Sequence, residues 1–149
     1  DHISGEDSIS LPSITNLVRK YNPDVLIIDG VYLISTADKN KAAWEQSHSL
    51  FYGLKTMALS TNTTVIASTQ ATRDASNMYN QPTAGQVAFG DALIRASDVA
   101  ISMCMVEDEP QLREIMFQKY RDGDLGASTT EFVWDVDKGR IEENHGTFN

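Results

Sequence analysis

An aspartate and a glutamine stand at the ends of two short apolar runs, PDVLIIDG and TTVIASTQ. These side chains, Asp29 and Gln70, have the chemistry that can be read first. A carboxylate can hold the water shell of Mg²⁺ and a carboxamide can orient or sense a terminal phosphate, so the pair suits nucleotide hydrolysis. For either residue alone the plainer alternative is a turn-opening Asp or a strand-capping Gln. Two such ends in succession, separated by a helix, favour a site. Each run is too short for a helix, rich in β-branched residues and without polar alternation, which predicts a strand buried on both faces of a parallel sheet. In open parallel sheets the ligand crevice lies outside the carboxyl ends of the strands, where both residues would stand.

Lys119 and Arg121 form a second constellation at the end of the predicted strand QLREIMFQKYR. Residues two apart in a strand point the same way, about 6.5 to 7 Å apart along its axis. The two cations should therefore project together, after Ile115 and Phe117 on the same face and just before DGD. Basic residues at a strand end commonly serve exposure and edge protection. Beside a magnesium carboxylate and a phosphate amide, the arginine could instead stabilise developing phosphoryl charge, which is worth about 10³ to 10⁵ in rate when offered to a neighbour's nucleotide. Such a finger belongs at a subunit boundary.

The elements that must position these residues follow from periodicity. Pro12 suits a first helical turn, and Ile14, Leu17, Val18 and Tyr21 recur at helical spacing through LPSITNLVRKY, which Asn22 and Pro23 stop. A second helix is expected from about Lys41 to Ser60, with Trp44, Leu50, Phe51, Leu54, Met57 and Ala58 as one stripe packed on the sheet. STNT then turns the chain into the second strand, completing a right-handed β–α–β crossover. Residues 71–90, ATRDASNMYNQPTAGQVAFG, have no steady period and read as a long loop of the kind that is usually functional or mobile. DALIRAS predicts a short helix leading into DVAISMCM, followed by the turn VEDEP, the strand QLREIMFQKYR, a break at Asp122 and Gly123, the strand TTEFVWDV with Phe132, Trp134 and Val136 on one face, the turn DKG, and RIEEN. The first half is α/β and the second an antiparallel meander.

Composition narrows the class. A chain of 149 residues, 41% hydrophobic and 22% charged, is ordinary for one soluble domain, and no run of about eighteen apolar residues or charged-then-apolar leader is present. An intracellular, cytoplasmic protein with no membrane contact is expected. The one cysteine, Cys104, lies within VAISMCMV and reads as a buried, inert thiol. His2, His48 and His145 are scattered, which disfavours a protein-ligated zinc. A net charge of -9 argues against a wholesale polyanion-binding surface, although a ring can still hold a strand through a few loop residues and backbone N–H groups.

With these residues assembled, the chain from about Leu11 to about Trp134 resembles the C-terminal half of the RecA-like motor domain of DnaB-type hexameric replicative helicases, especially phage versions. VLIIDG resembles the Walker B strand, LFYGLKTMALSTNTTVIASTQATR the following helix, strand and glutamine switch, VAFGDALIRASDVAISM the segment lining the central channel, and FQKYRDG the KxRxG finger. The resemblance implies an α/β, RecA-like P-loop NTPase core, with residues 1–149 forming a single partial domain. It implies ATP and Mg²⁺ as cofactors, Asp29 holding the metal through water, Gln70 coupling the γ-phosphate to the DNA loops, and Lys119 and Arg121 reaching the phosphates of the adjacent subunit. Phe89, Gly90, Asp91 and Arg95 would lie near single-stranded DNA, Phe89 having packing as its alternative role. The implied partners are single-stranded DNA, copies of itself in a ring hexamer, and a primase or helicase loader, in the cytoplasm of a bacterium or a phage-infected host.

Two departures qualify the likeness. Where the family often carries an Arg-Glu-Ser-Gly run in the channel loop, this chain reads AFGD, so a charged backbone contact is absent or replaced by main-chain N–H groups. None of the nine glycines is followed by Lys and Ser or Thr, so there is no GxxxxGK[ST] phosphate loop, and the family's catalytic glutamate has no matched position. In the fold it resembles, the phosphate-loop strand lies beside the glutamine strand, and its loss would leave costly unpaired backbone groups. The expectation is a fragment of a longer protein, inactive alone, or a sheet completed by another chain or by rearrangement. Two other readings stand beside the helicase: another RecA-like ATPase, such as a recombinase or RadA-like repair protein, and a non-catalytic assembly module.

Overall fold

The computed structural model describes residues 9–35, 42–70, 90–123 and 129–143. These fall into two compact units, one drawn from residues 9–70 with 90–97 and the other from 98–143.

In the first unit, helix α1 spans Leu11–Tyr21 and helix α2 spans Ala43–Thr61. Ser10 caps α1 and Pro12 sits in its first turn, where a missing N–H leaves no hydrogen bond unmade. Both helices stop on an asparagine in the left-handed region: Asn22 (φ 45°) bonds its N–H to the Val18 carbonyl, and Asn62 (φ 51°) does the same to Ala58. Asparagine visits this region more readily than most L-residues because its short polar side chain bonds locally. Each reversal feeds a strand, β1 over Val25–Ile28 and β2 over Thr64–Ala67. The Thr63 hydroxyl donates to the Pro23 carbonyl at 3.1 Å and the Thr64 N–H to the Asp24 carbonyl at 2.9 Å. These bonds fasten the two strand entrances together and set the parallel register, Val25 opposite Thr64 through Ile28 opposite Ala67.

The core of this unit gathers Ile14 and Val18 from α1, Leu50, Phe51, Leu54 and Met57 from α2, Val31 and Ile34 from the turn after β1, and Ala96 from a short helix α3, Gly90–Ala96. Leu26, Ile28, Val65 and Ala67 pack against it from one face of the sheet. The other face is open: Val25 is 49% exposed, Ile27 72% and Ile66 55%. The expectation of strands buried on both faces is therefore corrected, because the helices cover one side only. Trp44, expected in the buried stripe of α2, is also exposed; it lies in the first turn, ahead of the buried stretch that begins at Ser47.

Immediately after Asp29, Gly30 adopts φ 84° and ψ 67° and turns the chain into a 3-10 turn at Val31–Leu33. A Cβ there would both force an L-residue into a left-handed conformation and approach Leu33 Cδ1 at 3.1 Å. Gly30→Ala is expected to lower the stability of this unit by roughly 1–2 kcal/mol, read as a lower urea midpoint; an unchanged midpoint would show that the turn relaxes freely.

The second unit is an antiparallel sheet in the order β3 (Val99–Val106), β4 (Glu109–Tyr120), β5 (Thr129–Asp135) and β6 (Arg140–Glu143). Asp108 (φ 63°) and Gly139 (φ 61°) supply the left-handed positions of the β3–β4 and β5–β6 turns. Phe132 and Trp134 share a face of β5, their ring centroids 6.3 Å apart, and the Arg113 guanidinium lies 5.7 Å from the Trp134 ring centroid. Val136, expected to continue that face, lies in the turn after β5 and is exposed. Among the described residues β2 pairs with no strand but β1, and β3 with no strand but β4. The loop expected at residues 71–90 falls outside the described residues, except for Gly90, which opens α3.

Candidate functional site

Parallel pairing brings the carboxyl ends of β1 and β2 to the same edge, so Asp29 and Gln70 emerge there from neighbouring strands. The ladder runs one step beyond the strands themselves: the Ser68 N–H donates to the Ile28 carbonyl and the Val31 N–H to the Ser68 carbonyl, each at 2.9 Å. At that step Asp29 meets Ser68. The Ser68 hydroxyl donates to Asp29 Oδ1 at 2.7 Å and accepts the Gly30 N–H at 2.8 Å. Gln70 follows two residues later with an exposed side chain. Between them the Thr69 hydroxyl oxygen is shielded from solvent and has no hydrogen-bond partner among the described residues. A polar atom buried this way leaves a bond to be made, since an unmade one costs about 1–3 kcal/mol.

The donor set fits the magnesium side of a nucleotide site. Asp29 offers a hard carboxylate oxygen of the kind Mg²⁺ favours, directly or through its water shell, and the adjacent strand end supplies the Gln70 amide and the unpartnered Thr69 hydroxyl. The phosphate cradle is not in this sequence. No group of three or more His, Cys, Asp or Glu among the described residues could hold a metal on its own. A metal here would come with its phosphate.

Lys119 and Arg121 are placed at one end of the antiparallel sheet, by a route that differs from simple alternation. Val99 faces Tyr120 and Ala100 faces Lys119, but the next pair is Ile101 with Phe117, so Gln118 is an extra residue and β4 is bulged there. Bulges break the two-residue repeat and re-aim the side chains that follow. Phe117 and Tyr120 are both exposed, with ring centroids 6.0 Å apart. Arg121 lies past the strand end, in the turn. Its N–H donates to the Asp98 carbonyl at 2.9 Å and its Nε stands 3.2 Å from Asp98 Oδ1, both side chains about half exposed. The expected shared face running from Ile115 to Arg121 is corrected accordingly.

Of the residues assigned to the channel, Phe89 lies outside the described residues and Gly90 begins α3. Asp91 and Arg95 pair with each other across one turn of α3 at 3.0 Å, largely exposed. Cys104 is buried, with its sulfur 3.4 Å from Glu114 Oε2. Burial first, and then the hydrogen bond and charge of Glu114, push its thiol up to about 11, so it stays protonated near neutral pH and is no nucleophile.

Sequence reasoning missed Ser68 and Asp98. The first was within reach, because once Ile28 is set opposite Ala67 the next pair is Asp29 with Ser68. The second depends on how β3 and β4 close at their far end, which no local pattern encodes.

No protein-family model matches this sequence, and no curated protein matches it. Solved structures do. The chain is similar to a solved structure described as an ATPase domain, with 21% identity and a TM-score of 0.78 over 91% of this chain and 51% of that one. It is also similar to a DnaB-like replicative helicase described together with its interactions with primase, with 20% identity and a TM-score of 0.78 over 93% of this chain and 37% of that one. The fold is thus that of RecA-like helicase ATPase domains. The chain spans about half the length of the first of these and less of the second.

Proposed function

We propose that this chain is the C-terminal half of the motor domain of a DnaB-type replicative helicase, whose parent hydrolyses ATP at subunit interfaces and moves along single-stranded DNA. The observation that carries the reading is the emergence of Asp29 and Gln70 from the carboxyl ends of two neighbouring parallel strands, in a fold shared with helicase ATPase domains. Both units belong, on this reading, to one ATPase domain.

Asp29 would hold, through water, the magnesium that accompanies ATP, and the metal would supply charge neutralisation to the phosphates. Gln70, one strand over, contacts the terminal phosphate and relays its presence into the segment that follows, which leads to Phe89, Gly90, Asp91 and Arg95 beside the DNA. Lys119 and Arg121 serve the phosphates bound by a neighbouring subunit. The phosphate loop and catalytic glutamate come from outside these 149 residues. The exposed face at Val25, Ile27 and Ile66 and the edge of β2 that pairs with no strand among the described residues are the surfaces against which that remaining part would pack. The parent works in the cytoplasm of a bacterium or phage-infected cell, as a hexamer with a primase or loader; no helix among the described residues is long and apolar enough to cross a membrane.

The test is magnesium-dependent ATP hydrolysis by the full-length protein with and without single-stranded DNA, together with unwinding of a forked duplex. DNA-stimulated turnover with unwinding is the expected result. Strand exchange without unwinding would favour a recombinase, and no nucleotide binding at all would favour an assembly module.

A further inference from the structure

We propose that Ser68 is a positioning residue for the magnesium-bearing carboxylate, an inference that rests on the nucleotide reading above. Its hydroxyl has one proton, and that proton is committed to Asp29 Oδ1 at 2.7 Å. The direction is fixed from the other side, since the Gly30 N–H donates into the same oxygen at 2.8 Å. Ser68 is also gripped through its backbone, to Ile28 and to Val31. Four hydrogen bonds therefore tie one residue of the β2 end to residues 28–31, the stretch that carries Asp29.

The consequence for the carboxylate is geometric. An exposed aspartate next to a left-handed glycine has several rotamers open to it, and only some present an oxygen to a metal's water shell. A short O–H···O⁻ bond to Oδ1 selects among them and leaves Oδ2 for that shell. Groups that orient a metal's ligands in this way typically account for about 10- to 100-fold in metal affinity or activity. The bond also joins the two strand ends that hold the metal and phosphate contacts, because Ser68 is two residues from Gln70. A displacement of Gln70 by the terminal phosphate would be transmitted to Asp29 through this hydroxyl.

The experiment measures binding of a fluorescent ADP analogue to the full-length protein, once with Mg²⁺ and once with EDTA, so that the gain due to metal is read without turnover. Wild type should bind more tightly with Mg²⁺, and Asp29→Asn should lose that gain. Ser68→Ala should lose about tenfold of it while binding in EDTA is unchanged, and Ser68→Thr, which restores a hydroxyl, should recover it. Should Ser68→Ala fail to bind in EDTA, Ser68→Cys, similar in size and a poor donor, is to show the same loss. A full magnesium gain in Ser68→Ala or Ser68→Cys with the gain lost in Asp29→Asn would overturn the role of Ser68 and leave the nucleotide reading standing. Loss in Ser68→Thr as large as in Ser68→Ala would overturn it too, by assigning the effect to packing. A wild type with no magnesium gain, or an Asp29→Asn that retains it, would bring down the nucleotide reading and this inference together.

Discussion

Arg121→Ala in the full-length protein is expected to lower ATP turnover by about 10³, with nucleotide affinity changed only a few-fold. The argument is one of magnitudes. A loss of that size is about 4 kcal/mol of transition-state stabilisation, whereas the ion pair that Arg121 makes with Asp98, half exposed on both sides, is worth about 0–1 kcal/mol. Giving up Asp98 to reach a phosphate is therefore a minor loss against the gain. The backbone bond from the Arg121 N–H to Asp98 does not involve the guanidinium and can persist while the side chain swings. Steady-state hydrolysis and equilibrium binding of the nucleotide separate the two effects. On the proposed reading, in which the finger acts on a neighbour, rings mixed from Arg121→Ala and Asp29→Asn subunits should recover part of the activity that each lacks alone, some interfaces pairing an intact Asp29 with an intact Arg121. No recovery in rings shown to be mixed would rule against catalysis in trans.

The 149-residue chain by itself is expected to show no ATP hydrolysis, with Mg²⁺ and single-stranded DNA both present. On the proposed reading Asp29 and Gln70 address the metal and the terminal phosphate, but a nucleotide is held mainly by the backbone N–H cradle and lysine of a phosphate loop, and none of the nine glycines here is followed by Lys and Ser or Thr. Without that cradle the metal carboxylate has no phosphate to serve. Magnesium-dependent turnover by this chain that disappears in Asp29→Asn would refute the assignment of the missing chemistry to another part of the protein.

What could be read in advance was what is encoded locally. Run length and β-branching located β1 and β2, and Pro12, Asn22 and Asn62 lie where the helices begin or end because caps depend on a few neighbouring residues. The placement of Asp29 and Gln70 at one edge was legible for the same reason, since strand direction alone puts both there. Burial was less legible: Ile27 and Ile66 have the composition of a doubly covered strand, and their exposure depends on what lies against that face, which is no property of the run itself. The bulge at Gln118 is set by how β4 fits β3, so the alternation drawn through Lys119 and Arg121 could not anticipate it. Ser68 fell between these cases, hidden until the register of two segments almost 40 residues apart was known.

A strand paired on one side presents its remaining row of N–H and C=O groups as a template for any extended polypeptide, and among the described residues β2 does so on a sheet whose other face carries the exposed Val25, Ile27 and Ile66. Concentrated alone, such chains should stack edge to edge into oligomers.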